Sequence, residues 1–404
     1  MVDILATIGV FVLNIILWFL PLLGAALLGA IAWKLWMHYI QQSFISGIDY
    51  VLLEIVPPRE VLRSPRGMEL FLSNALYQKS HKGGVEEYWQ GAVWFWFSLE
   101  IASIDGQVHF FVRTPTRVKG LVETQMYAQY PQAQVKVVED YTLAVDKISA
   151  DSEYNLWGCE FWLEKPEAFP LKTYVDFGLD KDPKEEFKVD PISGIIELFG
   201  SIKKGEQMWM QLVITADHQK KYHTKGTWFK HHGWVKEAEL VIRKQLEEFT
   251  GSRARAAGDG PPGSFSKEIR APAYMDAMVK GAGAKILKVG FETGIRVCYV
   301  AKREVFDMSN RRNTRLIFRQ YANPYLNELE RKNSTQADAF GGNFFTGFFL
   351  ISQKTIIRLA NRMLEEYRER AFYHLPLRHH LSQYILCLLF LIYQLPGMLH
   401  LNHT

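Results

Sequence analysis

Hydrophobic residues run almost unbroken at the start of the chain and settle into alternation afterwards. Residues 4–33, ILATIGVFVLNIILWFLPLLGAALLGAIAW, hold no Asp, Glu, Lys, Arg or His, and Asn14 is their one strongly polar side chain. A helix of that length rises about 45 Å, and a bilayer's hydrocarbon core needs about 20 apolar residues. The run therefore predicts a transmembrane helix. Three readings compete with it: a signal peptide cleaved near Ala30-Ile31-Ala32, a re-entrant hairpin bent at Pro21, and a buried helix. Asp3 stands where a signal peptide wants a base, and the run exceeds the usual signal length. Lys34 follows the run and no base precedes it, so the rest of the chain is expected in the cytoplasm of a single-pass cell-membrane protein. Trp33, Lys34 and Trp36 are the expected interfacial anchor against membrane lipid.

Beyond the anchor, strand-like and helix-like periodicities take turns. Residues 50–56 read as a strand ending at Pro57-Pro58, and 59–77 have helical spacing at Val61, Leu62, Met68, Leu70, Leu72 and Leu76. Residues 93–104 and 108–112 are two strands joined at Asp105-Gly106, a strong hairpin signal. A helix over 119–129 and a strand over 133–139 complete a βαββαβ order, that of a ferredoxin-like layer of helices on an antiparallel sheet. A second, looser round follows: strand 171–177, helix 191–199, strand 208–214, helix 265–285, strand 291–301, helix 308–321 and strand 343–351. The expected fold class is α+β, with an N-terminal transmembrane helix and two ferredoxin-like units. The boundaries are an anchor and juxtamembrane helix over 1–48, a first unit over 49–150, and a second over 151–353 with a helical insertion at 216–263. Residues 354–404 form a C-terminal helix and an apolar tail. No sequence repeat relates the two units, so a duplication rests on element order alone. Residues 355–372 are amphipathic, with Ile356, Ala360, Met363, Leu364 and Tyr367 on one side. The apolar run at 384–395 is too short to span a bilayer.

Composition changes this picture little. The 404 residues are 48% hydrophobic and 22% charged, which places the chain among ordinary globular proteins. The net charge of +4 is mildly basic, and every Lys and Arg lies after residue 33. That balance suits anionic lipid or nucleic acid without demanding either. Cys159, Cys298 and Cys387 are odd in number and widely spaced, which argues against a disulfide framework.

Local catalytic motifs are missing. There is no G-x-x-x-x-G-K-[ST] loop; Gly281-Ala-Gly283-Ala-Lys285 lacks both the spacing and the hydroxyl. No G-x-S-x-G elbow, H-E-x-x-H helix or C-x-x-C pair occurs either. The richest cluster is 218–234, HQKKYHTKGTWFKHHGW. Its four histidines, His218, His223, His231 and His232, match no standard zinc spacing. Lys220, Lys221, Lys225 and Lys230 are placed to meet phosphates while Tyr222, Trp228 and Trp234 stack on bases. The plainer reading is a solvated basic insertion. Arg311, Arg315 and Arg319, spaced by four, are candidates for contact with an anionic partner from one helical face, or else an ordinary exposed face. No metal and no cofactor are expected.

Several stretches carry a family likeness: KVGFETGIRVCYVAKREVF, then RLIFRQYANPYLNELE, preceded by YVLLEIVPPREVLRSPRGMELF, WFSLEIASIDGQVHFFVRTP, MYAQYPQAQVKVVEDY, QLVITA and TKGTWFKHHGW. In this order they resemble the membrane-proximal N-terminal region of bacterial type IV secretion and conjugative-transfer ATPases, whose motor is of the FtsK/HerA kind. The resemblance covers about residues 50–373 and implies a membrane-anchored platform placed before an ATP-driven motor. No Walker A lysine is present to inherit ATP binding, so no catalytic residue carries over. The resemblance thus implies a non-enzymatic scaffold of a secretion or conjugative DNA-transfer complex. A truncated gene or a separate motor ATPase would account for the missing motor. Other secretion-complex proteins are the implied partners, DNA is a further candidate, and oligomerisation stays open. The residue-based alternative is a nucleic-acid-binding membrane protein acting through 218–234.

Overall fold

The computed structural model describes residues 21–58 except 23, 24, 26, 27, 30, 31 and 34. It further describes 66–78, 83–179, 191–217, 235–247 except 237, 245 and 246, 273–335 except 324, 353–371 and 382–384. The chain divides into two compact units, a small one from residues 1–49 and 79–94 and a large one from the remainder.

In the small unit, residues 35–46 are helical and helix α2 spans Gly84–Tyr88. Glu86 caps α2 by accepting from the Gly83 N–H at 3.1 Å. Trp33 packs against Tyr88 with ring centres 6.0 Å apart, and Trp36 against Trp89 at 6.1 Å. The Trp36 indole also donates to the Tyr88 carbonyl at 3.3 Å. Gly91 has φ +68°, and a Cβ there would lie 2.4 Å from the Ile40 carbonyl, so this close crossing admits only glycine. The tryptophans expected at a lipid interface are thus held by rings of their own unit. The transmembrane helix, and with it the single-pass cell-membrane placement, is corrected: among the described residues no helix is long and apolar enough to cross a membrane. Residues 4–20 of the predicted span, and Lys34, lie outside the described residues.

The large unit is organised by one antiparallel sheet. Its strands are β1 (Tyr50–Val56), β2 (Trp96–Ile104), β3 (Gln107–Pro115), β4 (Gln134–Val138), β5 (Tyr154–Leu163), β6 (Glu206–Ala216), β7 (Gly290–Lys302), β8 (Leu329–Lys332) and β9 (Ser382–Tyr384). The order across the sheet is β4-β1-β3-β2-β6-β7-β5-β8, and β9 pairs beside the start of β7. The expectation of two ferredoxin-like units is corrected to this: strands β2 and β6 pair through nine registered residues, from Trp96↔Thr215 to Ile104↔Gln207, and make one sheet of both halves. Within it the halves mirror one another. Counted from the outer edge, each lays down its own fourth, first, third and second strand.

Alternation along the strands separates two buried faces. Leu99, Ile101, Met208, Met210, Leu212, Ile295, Val297 and Tyr299 belong to the larger core. This first face is covered by α1 (Arg66–Phe71, continued by a π turn to Leu76), α3 (Lys119–Gln129), α4 (Ser193–Gly200) and the region around α6 (Ser309–Leu316). The second face carries Leu52, Ala102, Phe111, Leu156, Trp209, Cys298 and Val300. Helix α7 (Gln353–Glu369) lies on it through Ala360, Met363, Leu364 and Tyr367, the apolar side its spacing predicts. Strand β6 is buried along its whole length and β7 to its penultimate residue, as strands covered on both faces must be.

Most predicted elements coincide with observed ones; the exceptions are informative. Asp105 (φ +55°) and Gly106 (φ +84°) make the predicted turn, both in the left-handed region that such two-residue hairpins require. The first strand of the second half is β5, whereas 171–173 has no regular structure and 174–177 is turn. The closing strand is β8; residues 343–351 lie outside the described residues. Helix α5 (Ala273–Ile286) contains Gly281 and Lys285, and a Cβ on Gly281 would come within 2.9 Å of Pro170, so this glycine serves packing.

Gly158 on β5 is the tightest point beneath α7: a Cβ there would lie 2.8 Å from Met363 Cγ and 2.9 Å from Cys298 Sγ. Gly158→Ala is expected to cost about 1–3 kcal/mol by overpacking. A lowered denaturant midpoint with an unchanged slope would register it, and an unchanged midpoint would mean that α7 yields there.

Candidate functional site

A line of residues, polar except for Phe111, crosses the second face from edge to edge. Register pairs Lys136 with Glu54, Glu54 with Phe111, Phe111 with Glu100, Glu100 with Gln211, Gln211 with Arg296, Arg296 with Glu160, and Glu160 with Lys332. Glu100, Gln211, Arg296 and Glu160, from the consecutive strands β2, β6, β7 and β5, are at most 2% exposed. Buried charge of this density survives only when paired and hydrogen-bonded.

Glu100 is saturated. Its Oε1 accepts from Ser98 Oγ at 2.6 Å, Arg370 Nε at 2.9 Å and Gln211 Nε2 at 3.3 Å. Its Oε2 accepts from Tyr141 at 2.8 Å and Arg370 Nη2 at 3.2 Å. Arg370 completes its set with Asp140, through Nη1 and, at 3.1 Å, Nη2. Across the seam, Arg296 donates to Glu160 at 3.0 Å, to Gln211 Oε1 at 3.4 Å and to Glu366 Oε2 at 3.4 Å. Asn333 holds the other Glu160 oxygen at 2.6 Å. Gln211 is therefore the bridge, donating to Glu100 while accepting from Arg296.

Helix α7 supplies this site through its end. The Arg370 N–H bonds the Tyr367 carbonyl at 3.1 Å and the Ala371 N–H bonds the Glu366 carbonyl at 3.1 Å, the paired bonds of a Schellman terminus. The left-handed position in that motif is normally glycine; here it is Arg370, with φ +51°. The strain, of the order of 1–2 kcal/mol, fixes the direction of the guanidinium. Arg296 covers the same terminus from below, donating to the Glu366 carbonyl at 3.1 Å and to that of Ala371. A cation is favourable at a helix C-terminus.

The electrostatics follow from burial and pairing. Burial opposes charge on Arg370, but Glu100 and Asp140 outweigh it and hold the guanidinium well above its ordinary value. Burial raises Asp140, yet Arg370 and the two Thr142 bonds prevail and keep its carboxyl below the usual range. For Glu160 burial wins over Arg296 and Asn333, and its value is raised. Tyr141 and Tyr367, hydroxyls 2.8 Å apart, are raised first by burial and then by Glu100. The arrangement fixes a helix to a sheet; its acceptors are spent on its own donors.

The residues singled out from sequence lie elsewhere. Lys220, Lys221, Lys225, Trp228 and Lys230 are outside the described residues. Arg311 and Arg315 sit on α6, which ends at Leu316, and Arg319 opens a separate 3-10 turn, so the three do not share one helix. Arg311 is half-buried and engaged, while Arg319 is exposed. Trp33 and Trp36 belong to the small unit. Among the described residues no group of three His, Cys, Asp or Glu is placed to hold a metal. A void of about 20 Å³ between the first face and its helices, lined by Leu99, Ile101, Phe110, Met126, Met210 and Leu212, has room for about one water and an apolar lining that keeps it dry. Sequence reasoning missed Glu100, Asp140, Glu160, Gln211, Arg296 and Arg370. The available signal was a charge at an inward position of an apolar strand, which Arg296 in β7 and Glu100 in β2 both display.

No family model, no curated protein and no solved structure matches this chain. The expected role in secretion or conjugation is withdrawn, since nothing supports it.

Arg370→Ala leaves the buried Glu100 and the half-buried Asp140 without their cation and is expected to cost about 3–5 kcal/mol. Arg370→Met combined with Glu100→Leu should recover much of that loss in the same denaturation experiment, because the pair's desolvation is removed along with its attraction. Acid titration of stability isolates Asp140. Its folded value is depressed, so its contribution is present above the unfolded carboxylate value of about 4 and is lost as pH falls through the folded one. Asp140→Asn should be less stable than the parent near neutrality and show a flatter acid limb; parallel curves would exclude this linkage.

Proposed function

We propose that the chain is a non-enzymatic scaffold, a rigid platform that holds protein partners in a fixed arrangement. One observation carries this reading: the β2–β6 seam fuses two four-stranded halves into a single sheet, and the end of α7 clamps across that seam. Glu100 lies on one side of it, Gln211 and Arg296 on the other, and Tyr367, Glu366 and Arg370 bond to all three. Such a joint stops the halves from moving as hinged domains, which suits holding rather than closing on a substrate. The likeness of the sequence to a platform region points the same way, without the membrane placement or secretion role that accompanied it. The outer strand β4 adds an accessible edge, with Val137 55% exposed beside Lys136. Lysine on an edge discourages indiscriminate strand pairing while leaving it open to a matched partner.

Native-state hydrogen exchange tests the platform directly. Amides of β1, β3, β5 and β7 are expected to exchange with one common free energy equal to that of global unfolding. Separate opening of either half would refute a rigid platform. Saturable turnover of ATP, a phosphate ester or a carboxylic ester by the purified chain, abolished by Glu160→Gln with the fold retained, would replace the scaffold with an enzyme.

A further inference from the structure

At one end of the second face, three buried polar groups on adjacent strands lack acceptors. Tyr50 opens β1, Trp96 opens β2, and Arg113 lies near the end of β3. The two-residue period puts Tyr50 with Leu52, Trp96 with Ser98 and Glu100, and Arg113 with Phe111, all on the face under α7. Register sets Arg113 between Leu52 and Ser98, and Tyr50 opposite Pro115. Over Pro115 the rings of Tyr50 and Trp96 meet, with centres 5.4 Å apart and planes at 39°. The Arg113 guanidinium carbon lies 3.9 Å from the centre of the Tyr50 ring. Within this small corner Arg113 Nη1, Trp96 Nε1 and the Tyr50 hydroxyl are each shut off from solvent and make no hydrogen bond.

We infer that this corner binds a small oxyanion, a phosphate or carboxylate group, through Arg113 Nη1, Trp96 Nε1 and the Tyr50 hydroxyl. The proposal is independent of the scaffold reading and concerns a ligand rather than a protein partner. Buried donors are rarely left without acceptors, and three in one place make a common acceptor the economical explanation. The neighbouring carboxylates have none to offer. Glu100 already receives Ser98, Gln211, Tyr141 and Arg370, and Asp140 receives Arg370 and Thr142. Charge selects the sign of the ligand. Arg113 is flanked by Arg370, and Arg117 lies close by, 3.8 Å over the Phe95 ring. Burial, then repulsion from Arg370, lowers the Arg113 guanidinium to about 10, against the opposing pull of Tyr50, Glu100 and Asp140, the two carboxylates being already committed to Arg370. A bound anion would counter both effects, and a cation would aggravate them. Geometry favours an oxygen-rich group, because the guanidinium face is already stacked on Tyr50 and leaves its edge to bond in the ring plane. Aromatic N–H and O–H donors beside an arginine edge can serve two oxygens at once, which chloride lacks.

The test uses the full chain and three probes at matched ionic strength: inorganic phosphate, acetate and chloride. Binding is followed by calorimetry and by the Trp96 indole N–H resonance, assigned through its loss in Trp96→Phe. Phosphate or acetate should shift that resonance saturably, and whichever saturates at the lower concentration identifies the source of the oxyanion. Arg113→Gln should weaken binding by about tenfold or more, with Arg113→Lys between it and the parent. Tyr50→Phe and Trp96→Phe keep the rings and should each weaken it severalfold. Thermal melts of the four variants without anion establish that they are folded. An unmoved Trp96 resonance with both oxyanions, an equal response to chloride, or undiminished binding by folded Arg113→Gln would overturn the site.

Discussion

Arg370 and Glu100 are 270 residues apart in the chain and make two hydrogen bonds in a dry interior. Much of the large unit depends on that pair being made. A carboxylate on β2 between two fully paired strands has no route to water, and the Coulomb attraction of a cation is the term large enough to offset its burial. The cation arrives on the last described helix of the second half. Until α7 is seated, the seam carries an uncompensated negative charge, and once seated the helix cannot lift without exposing two acids and stranding Arg296. Sheet and helix are therefore stable together.

The symmetry of the sheet explains where the charges sit. Counting outward from the seam, Glu100 faces Gln211, Phe111 corresponds to Arg296, Glu54 to Glu160, and Lys136 to Lys332. The outer two pairs keep their charge sign in both halves, and the inner two differ. The difference is what α7 recognises. A single helix on the second face cannot treat the halves alike, and it places its carbonyl end over the half that has Arg296. The other half has Phe111 at that position, stacked on Tyr141 with ring centres 4.9 Å apart. One side thus offers a cation to the helix terminus and the other an aromatic bed. The proposed anion-binding corner at Arg113 belongs to the half that lacks the row's buried arginine.

Strands and helices were legible where the burial pattern is local. Residues 50–56, 119–129 and 291–301 announce themselves by alternation, helical spacing or unbroken apolarity, and each coincides with an observed element within a residue or two. Strand β5 was missed because Gly158 and Glu160 interrupt YNLWGCEFWL; both residues answer to α7 and β7, which no window around them contains. The same holds for the whole charged row. A short window treats Glu100 and Arg296 as defects in a strand, since the partner that neutralises each lies 136 to 270 residues away. Membrane insertion was argued from hydropathy, flanking charge and an interfacial tryptophan belt, whereas Trp33 and Trp36 find aromatic partners within their own unit. The basic segment at 218–234 stood out by composition and lies outside the described residues.

Stability alone does not explain why a charged row is kept. Apolar residues of similar volume would fill the same space at no loss of free energy, and often with a gain. What they would not do is fix the register. The side-chain period of a strand is two, so a slip of one residue turns every side chain to the opposite face. Strands β6 and β7 are buried on both sides, and between their apolar stretches a slip would still bury methyl groups against methyl groups. With the row in place, the same slip would drive Arg296 into the layer of Met210 and Leu212, away from Glu160. The penalty for the wrong pairing is then an unpaired buried charge, several kcal/mol for one residue of error. In a sheet whose central strands are buried on both faces, the polar row is the feature that makes one alignment unique. The arginine strained at the end of α7 is what makes that row tolerable.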